Sequence, residues 1–161
     1  MGLTMLSDAT RDEYFMGLAL AEAHRAARAG EVPVGAVVVA GEEILGRGRN
    51  SVIARCDPTA HAEVVALRRA CRRRDNYRLP DCDLFVTLEP CALCLGAIVQ
   101  ARVRRLVFGA WDPKSGAVAS VMSFPFGKLN HRPRIAAGVR AEECGRVLKD
   151  FFRTRRARKQ A

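Results

Sequence analysis

Two short stretches hold the residues best equipped for chemistry. His61-Ala62-Glu63 sets an imidazole two residues from a carboxylate, and Pro90-Cys91-Ala92-Leu93-Cys94 sets two thiols three residues apart. One nitrogen and two sulfurs form a donor set for Zn²⁺ with three protein ligands and an open fourth position. A metal held in this way activates water at neutral pH, and a carboxylate beside it can move the proton. Each part has a plainer reading by itself. A lone CxxC also serves redox pairs and closed structural zinc sites, a lone HxE is usually a chance match, and Glu63 alone is an acid favoured in a helix's first turn. The combination, with each half opening a helix, points to an open metal site. Cys56, Cys71, Cys82 and Cys144 are the other thiols. Cys71 lies too far along its helix and Cys144 has a core-facing explanation, so no fourth ligand is evident. An open position beside Glu63 describes a hydrolytic centre.

Regular elements must position these groups. Thr10-Arg11-Asp12-Glu13 has the form of a capping box, and Met16, Ala19, Leu20, Ala23 and Ala27 follow at helical spacing, predicting a helix from Thr10 to Ala29. The β-branched run from Val34 to Ala40 and the segment from Glu43 to Arg49 read as a hairpin turning at Gly41-Glu42. Asp57-Pro58-Thr59 carries helix-start chemistry and predicts a helix from Thr59 to Arg72. Leu84 to Leu88 reads as a short buried strand. Pro90 then opens a helix, apolar almost all round, whose body runs from Ala92 to Val99. Strands are expected at Arg105 to Ala110 and, more weakly, at Ile135 to Val139. Cys144, Val147, Leu148, Phe151 and Phe152 fall at i, i+3, i+4, i+7 and i+8, predicting a last helix whose inner face is bound into the fold. Asp112 to Pro133 is poorly patterned. The order implies one domain, an α/β sandwich on a mixed five-stranded sheet, with the hairpin antiparallel and the helix-joined strands parallel.

Length and composition suit a single soluble domain: 161 residues, 49% hydrophobic and 27% charged. The net charge of +10 suggests a polyanionic partner, nucleic acid ahead of membrane or acidic protein. Five of the 27 basic residues (Arg153, Arg155, Arg156, Arg158, Lys159) lie in the acid-free stretch 151–161, leaving 22 against 17 acidic ones, so that stretch carries half of the net charge. Such a run fits either a solvated terminus or an electrostatic arm for phosphates. Met1-Gly2 opens like a myristoylation signal, but Leu6 stands where that motif requires Ser or Thr. There is no signal-peptide pattern and no run long enough to span a bilayer, so a reducing, cytoplasmic setting with free or metal-bound thiols is expected.

The paired motifs resemble the zinc-dependent cytidine/deoxycytidylate deaminase superfamily. Further stretches resemble its tRNA-acting adenosine deaminase family in bacteria: Glu31-Val32-Pro33-Val34-Gly35-Ala36, Asp57-Pro58-Thr59-Ala60-His61-Ala62-Glu63, Asn76-Tyr77-Arg78-Leu79, Val86-Thr87-Leu88-Glu89-Pro90-Cys91, Asn130-His131-Arg132 and Asp150-Phe151-Phe152-Arg153. The resemblance implies a three-layer α/β/α deaminase fold, a homodimer, and hydrolysis of adenosine to inosine at the wobble position of a tRNA anticodon stem-loop. It implies His61, Cys91 and Cys94 as ligands of one Zn²⁺ and Glu63 as the proton shuttle. It implies substrate contacts at Asn50, at Asp112, Lys114 and Ser115, at Asn130, and at Phe152 and Arg153. Asn50 equally suits a turn at a strand end, and Phe152 equally suits the core. Trp111 stands where relatives often carry a polar residue. Ser123-Phe124-Pro125-Phe126-Gly127 is more broken than the short helical segment the resemblance implies. A small-molecule deaminase for guanine, cytosine or a nucleoside would share the site but leave the basic tail and Asn130-His131-Arg132 unexplained. A non-catalytic zinc and RNA-binding subunit would leave Glu63 unexplained.

Overall fold

The computed structural model describes residues 7–161, so Met1-Gly2 and Leu6 lie outside it. In chain order it comprises α1 (Asp8–Arg28), β1 (Gly35–Ala40), β2 (Glu43–Arg49), α2 (Val52–Arg55), α3 (Ala62–Arg74), β3 (Cys82–Leu88), α4 (Ala92–Gln100), β4 (Arg105–Ala110), a 3₁₀ turn at Phe126–Lys128, β5 (Arg134–Ala137) and α5 (Ala141–Gln160). The sheet order is β2-β1-β3-β4-β5. β1 is antiparallel to both β2 and β3, while β3–β4 and β4–β5 are parallel. The sheet is therefore mixed, as expected, and the two strands joined through α4 run together.

Strict alternation along the central strands builds two cores. Val38, Leu84, Val86, Leu106 and Phe108 face α3 and α4, where Leu67, Leu95 and Ile98 meet them. Val37, Val39, Phe85 and Val107 face the other way, towards Phe15, Met16 and Leu20 of α1 and Cys144 of α5. With both faces covered, these strands read as unbroken apolar runs. The result is three layers, α/β/α.

Several boundaries move for identifiable reasons. Helix α1 starts two residues early because Ser7, rather than Thr10, supplies the capping oxygen, accepting the Thr10 N–H at 3.3 Å. Helix α3 starts at Ala62, not Thr59. Asp57 spends its carboxylate on a local turn, accepting the Thr59 N–H at 2.8 Å and the Thr59 hydroxyl at 2.7 Å, so helix φ/ψ values begin only after His61. The short α2 has no periodic signal at four residues. It is held from outside by Glu31, whose carboxylate accepts the N–H groups of Ile53 and Ala54. The broken 123–127 segment runs into a single 3₁₀ turn at Phe126–Lys128. The apolar stripe of α5 is less enclosed than expected: of its five residues only Cys144 is buried.

Candidate active site

Helices α3 and α4 begin side by side, and their N-cap residues are His61 and Cys91. Neither side chain caps its own helix. Imidazole and thiol are poor caps, and here both turn towards each other instead. Cys94 is the third residue of α4, and N-cap and N3 side chains meet over a helix end in the way a capping box does. CxxC at these two positions therefore brings both sulfurs together. His61 Nδ1 lies 3.6 Å from Cys91 Sγ and 3.4 Å from Cys94 Sγ, and all three donor atoms lie within 4.8 Å of one another. Metal distances of about 2.0–2.1 Å to nitrogen and 2.3 Å to sulfur put tetrahedral neighbours about 3.5 Å apart. The donor set fits a tetrahedral metal with one position left over.

The approach of α3 to the sheet is what brings His61 here. A Cβ on Gly48 of β2 would stand 2.1 Å from the Ala62 carbonyl oxygen, so only glycine lets the first turn of α3 lie this close. Glu63, in that first turn, is 4% exposed. Burial is the main reason its carboxyl is pushed up to about 7; the Cys91 sulfur adds to this and His61 opposes it. Cys91 is brought down to about 4, first by the hydrogen bond from the Cys94 thiol and then, against the push of burial, by His61. Cys94 is pushed up because it gives that hydrogen bond and is buried. His61 is raised chiefly by its hydrogen bond with Cys91. A metal bound there would require the donors to give up the protons they still hold.

His61, Glu63 and Cys91 open onto a cavity of about 530 Å³ at the carboxyl ends of β3 and β4, the end of a parallel sheet where ligands bind. Asn50, Asp112, Lys114, Ser115 and Phe152 line it too. Asn50 is half-buried after β2. The Asp112 carboxylate accepts the Lys114 N–H and the Ser115 hydroxyl, both at 2.9 Å, and Lys114 Nζ sits 5.5 Å from the Phe152 ring centre. Asn130 is exposed and outside the cavity. Arg153 also stands outside it, paired with Asp150 in a neighbouring groove. Sequence reasoning missed Lys149, and it took Arg156 for a distal tail residue; both line the cavity. Their signal was present: Lys149, Phe152 and Arg156 fall at i, i+3 and i+7, one face of α5. A larger cavity of about 850 Å³ between α1 and α5 has no metal-donor cluster among the described residues.

The family model for MafB19-like deaminases matches residues 10–156. The chain belongs to this deaminase family. The tRNA-specific adenosine deaminase of Haemophilus influenzae is 48% identical over 151 residues, covering 92% of this chain and 87% of that protein. The tRNA-specific adenosine deaminase of Bacillus subtilis is 42% identical over 153 residues, covering 94% and 95%. A solved structure from biochemical and structural studies of A-to-I editing by tRNA:A34 deaminases at the wobble position of transfer RNA is 45% identical. It covers 84% of this chain and 99% of its own, with a TM-score of 0.80. The mixed sheet with helices on both faces is the fold of this deaminase and its solved relatives.

Proposed function

We propose that this deaminase hydrolyses adenosine to inosine at the wobble position of a tRNA anticodon. The observation that carries the reading is that the donor set His61, Cys91 and Cys94 opens, through His61 and Cys91, onto one cavity with the buried carboxylate of Glu63 and the Lys114, Phe152 and Arg156 rim. Two thiolates and an imidazole suit Zn²⁺; bound there, it would lower the pKa of a water from about 15.7 towards about 7. With a metal held there, Glu63 would accept one proton from the attacking water and give it to the adenine ring nitrogen, then take the second proton from the new C6 hydroxyl and give it to the amino group, which leaves as ammonia. A carboxyl raised by burial is suited to passing a proton both ways. Asn50 sits where it can hydrogen-bond the extruded nucleotide. Asp112, Lys114, Ser115 and Phe152 grip its neighbours. Asn130, Arg153 and the basic end of α5 meet the RNA beyond the cavity.

The whole chain acts as one domain in the cytoplasm; no helix among the described residues is long and apolar enough to cross a membrane. It works as a homodimer. Leu93, Val121, Met122 and Leu129 are exposed apolar residues that a second copy can cover, and a molar mass in solution of one chain sinks that assembly. The test of function is inosine formation in an anticodon stem-loop RNA, with free adenosine and guanine as controls and the metal determined on the same sample. Inosine in the stem-loop with about one zinc per chain is expected; ammonia from free bases alone overturns the assignment.

A further inference from the structure

Just before Pro90-Cys91 lies a carboxylate outside the His61, Cys91 and Cys94 donor set. Glu89 is 2% exposed, and no salt bridge among the described residues involves it. Its Oε1 accepts the N–H groups of Ala119 at 2.9 Å and Ser120 at 3.1 Å. Its Oε2 accepts the N–H of Asp112 at 3.0 Å and the hydroxyl of Ser120. One side chain therefore ties the start of the 112–120 segment to its end. Alongside, the Ala117 N–H donates to the Pro90 carbonyl at 2.9 Å. Gly116 leaves the room this needs: a Cβ there would lie 2.2 Å from Glu89 Oε2.

The segment has no strand or α-helix to shape it, and a buried carboxylate is tolerable only when its acceptor sites are filled. Glu89 fills them from this one loop. The loop in turn presents Asp112, Lys114 and Ser115 to the cavity. Glu89 is separated from the ligand Cys91 by a single proline, whose fixed φ leaves little slack between the two. A three-residue stretch thus sets the metal donor and the cavity-lining loop relative to each other.

We propose that Glu89 is a positioning residue that holds the 112–120 loop at the depth where it grips the nucleotide beside the metal site. This rests on the reading that the substrate is an RNA loop. Glu89→Gln replaces one acceptor oxygen with an amide that faces N–H donors, Gly116→Ala displaces the carboxylate sterically, and Ser120→Ala removes a single donor. The full-length, metal-loaded proteins are assayed for steady-state inosine formation in the stem-loop. Glu89→Gln and Gly116→Ala are expected to raise KM by about tenfold or more and kcat to change by less than about threefold, with metal content at the wild-type level. Ser120→Ala is expected to raise KM by only about twofold. If Glu89→Gln does not fold, Gly116→Ala decides. An unchanged KM, a fall in kcat alone, or lost metal in the folded variants overturns the proposal. A wild type that makes no inosine instead removes the parent reading, and this one with it.

Discussion

Buried carboxylates gather at both ends of the β3–β4 pair, and the molecule treats the two ends in opposite ways. At the amino ends, Asp83 accepts from Arg11 at 2.8 Å and from Arg104 at 2.8 Å, and Asp12 of α1 takes a two-pronged hydrogen bond from Arg105. Each charge there meets an opposite charge, fixing α1 to the sheet. At the carboxyl ends, Glu63 and Glu89 are as deeply buried but have no Lys or Arg partner among the described residues. Glu89 is satisfied by backbone N–H groups and a hydroxyl. Glu63 is left with burial as its main influence and is raised to about 7. The lesson is that a buried carboxylate met by a guanidinium, or by several N–H donors as at Glu89, becomes a fastening, whereas one left mainly to burial, as at Glu63, keeps a proton that can move.

The contrast breaks most visibly at Glu63. Glu63→Gln should cut deamination about 10³-fold, roughly 4 kcal/mol in the barrier, while keeping its metal; Cys91→Ala should lose both. Metal analysis beside single-turnover rates checks this, and an active Glu63→Gln protein removes the carboxylate from the chemistry.

Glu63 should also set the pH dependence of the metal-free protein. Its folded pKa is raised from 4.5 to about 7, so its contribution to stability is fully present below about pH 4.5 and is lost as pH rises through about 7. The gap corresponds to about 3 kcal/mol. Melting of chelator-treated wild type should fall across this window more steeply than that of Glu63→Gln; equal slopes contradict the unpartnered reading.

At the other end, Asp12→Asn should leave KM and metal content alone and cost about 2 kcal/mol in stability, the usual penalty for a broken buried pair being reduced because Arg105 can still reach water. Denaturant titration gives the number, and a changed KM would erase the division between the two ends. The smallest effect should come from removing residues 157–161, beyond Arg156 of the cavity rim. The rate at saturating RNA should hold, while the salt dependence of binding weakens by about 0.7–0.9 in log–log slope for each RNA phosphate that the shortened helix no longer neutralises. An unaltered slope returns this stretch to a solvated terminus.

The sequence by itself determined the local features. Apolar runs and turn chemistry are short-range properties, so β2 and β4 have the expected boundaries and the mixed sheet follows from the order of elements. His61, Cys91 and Cys94 were legible as a donor set because N-cap and N3 positions place side chains by helix geometry alone, and Glu63 follows His61 in the first turn of the same helix. Tertiary structure decided what depends on long-range contacts. The closeness of α3 to β2 needs Gly48 facing Ala62, and the cavity wall from α5 needs Lys149, Phe152 and Arg156 carried back across the chain. The extent to which the α5 stripe is covered depends on its neighbours, so its periodicity announced an apolar face but not a buried one. Glu89 is the sharpest case. Its sequence neighbours mark it as part of a metal motif, yet its hydrogen-bond donors come from residues 23 to 31 positions away. Only the folded chain brings those donors to one buried carboxylate, because a loop without periodicity leaves no trace of its partner in the sequence.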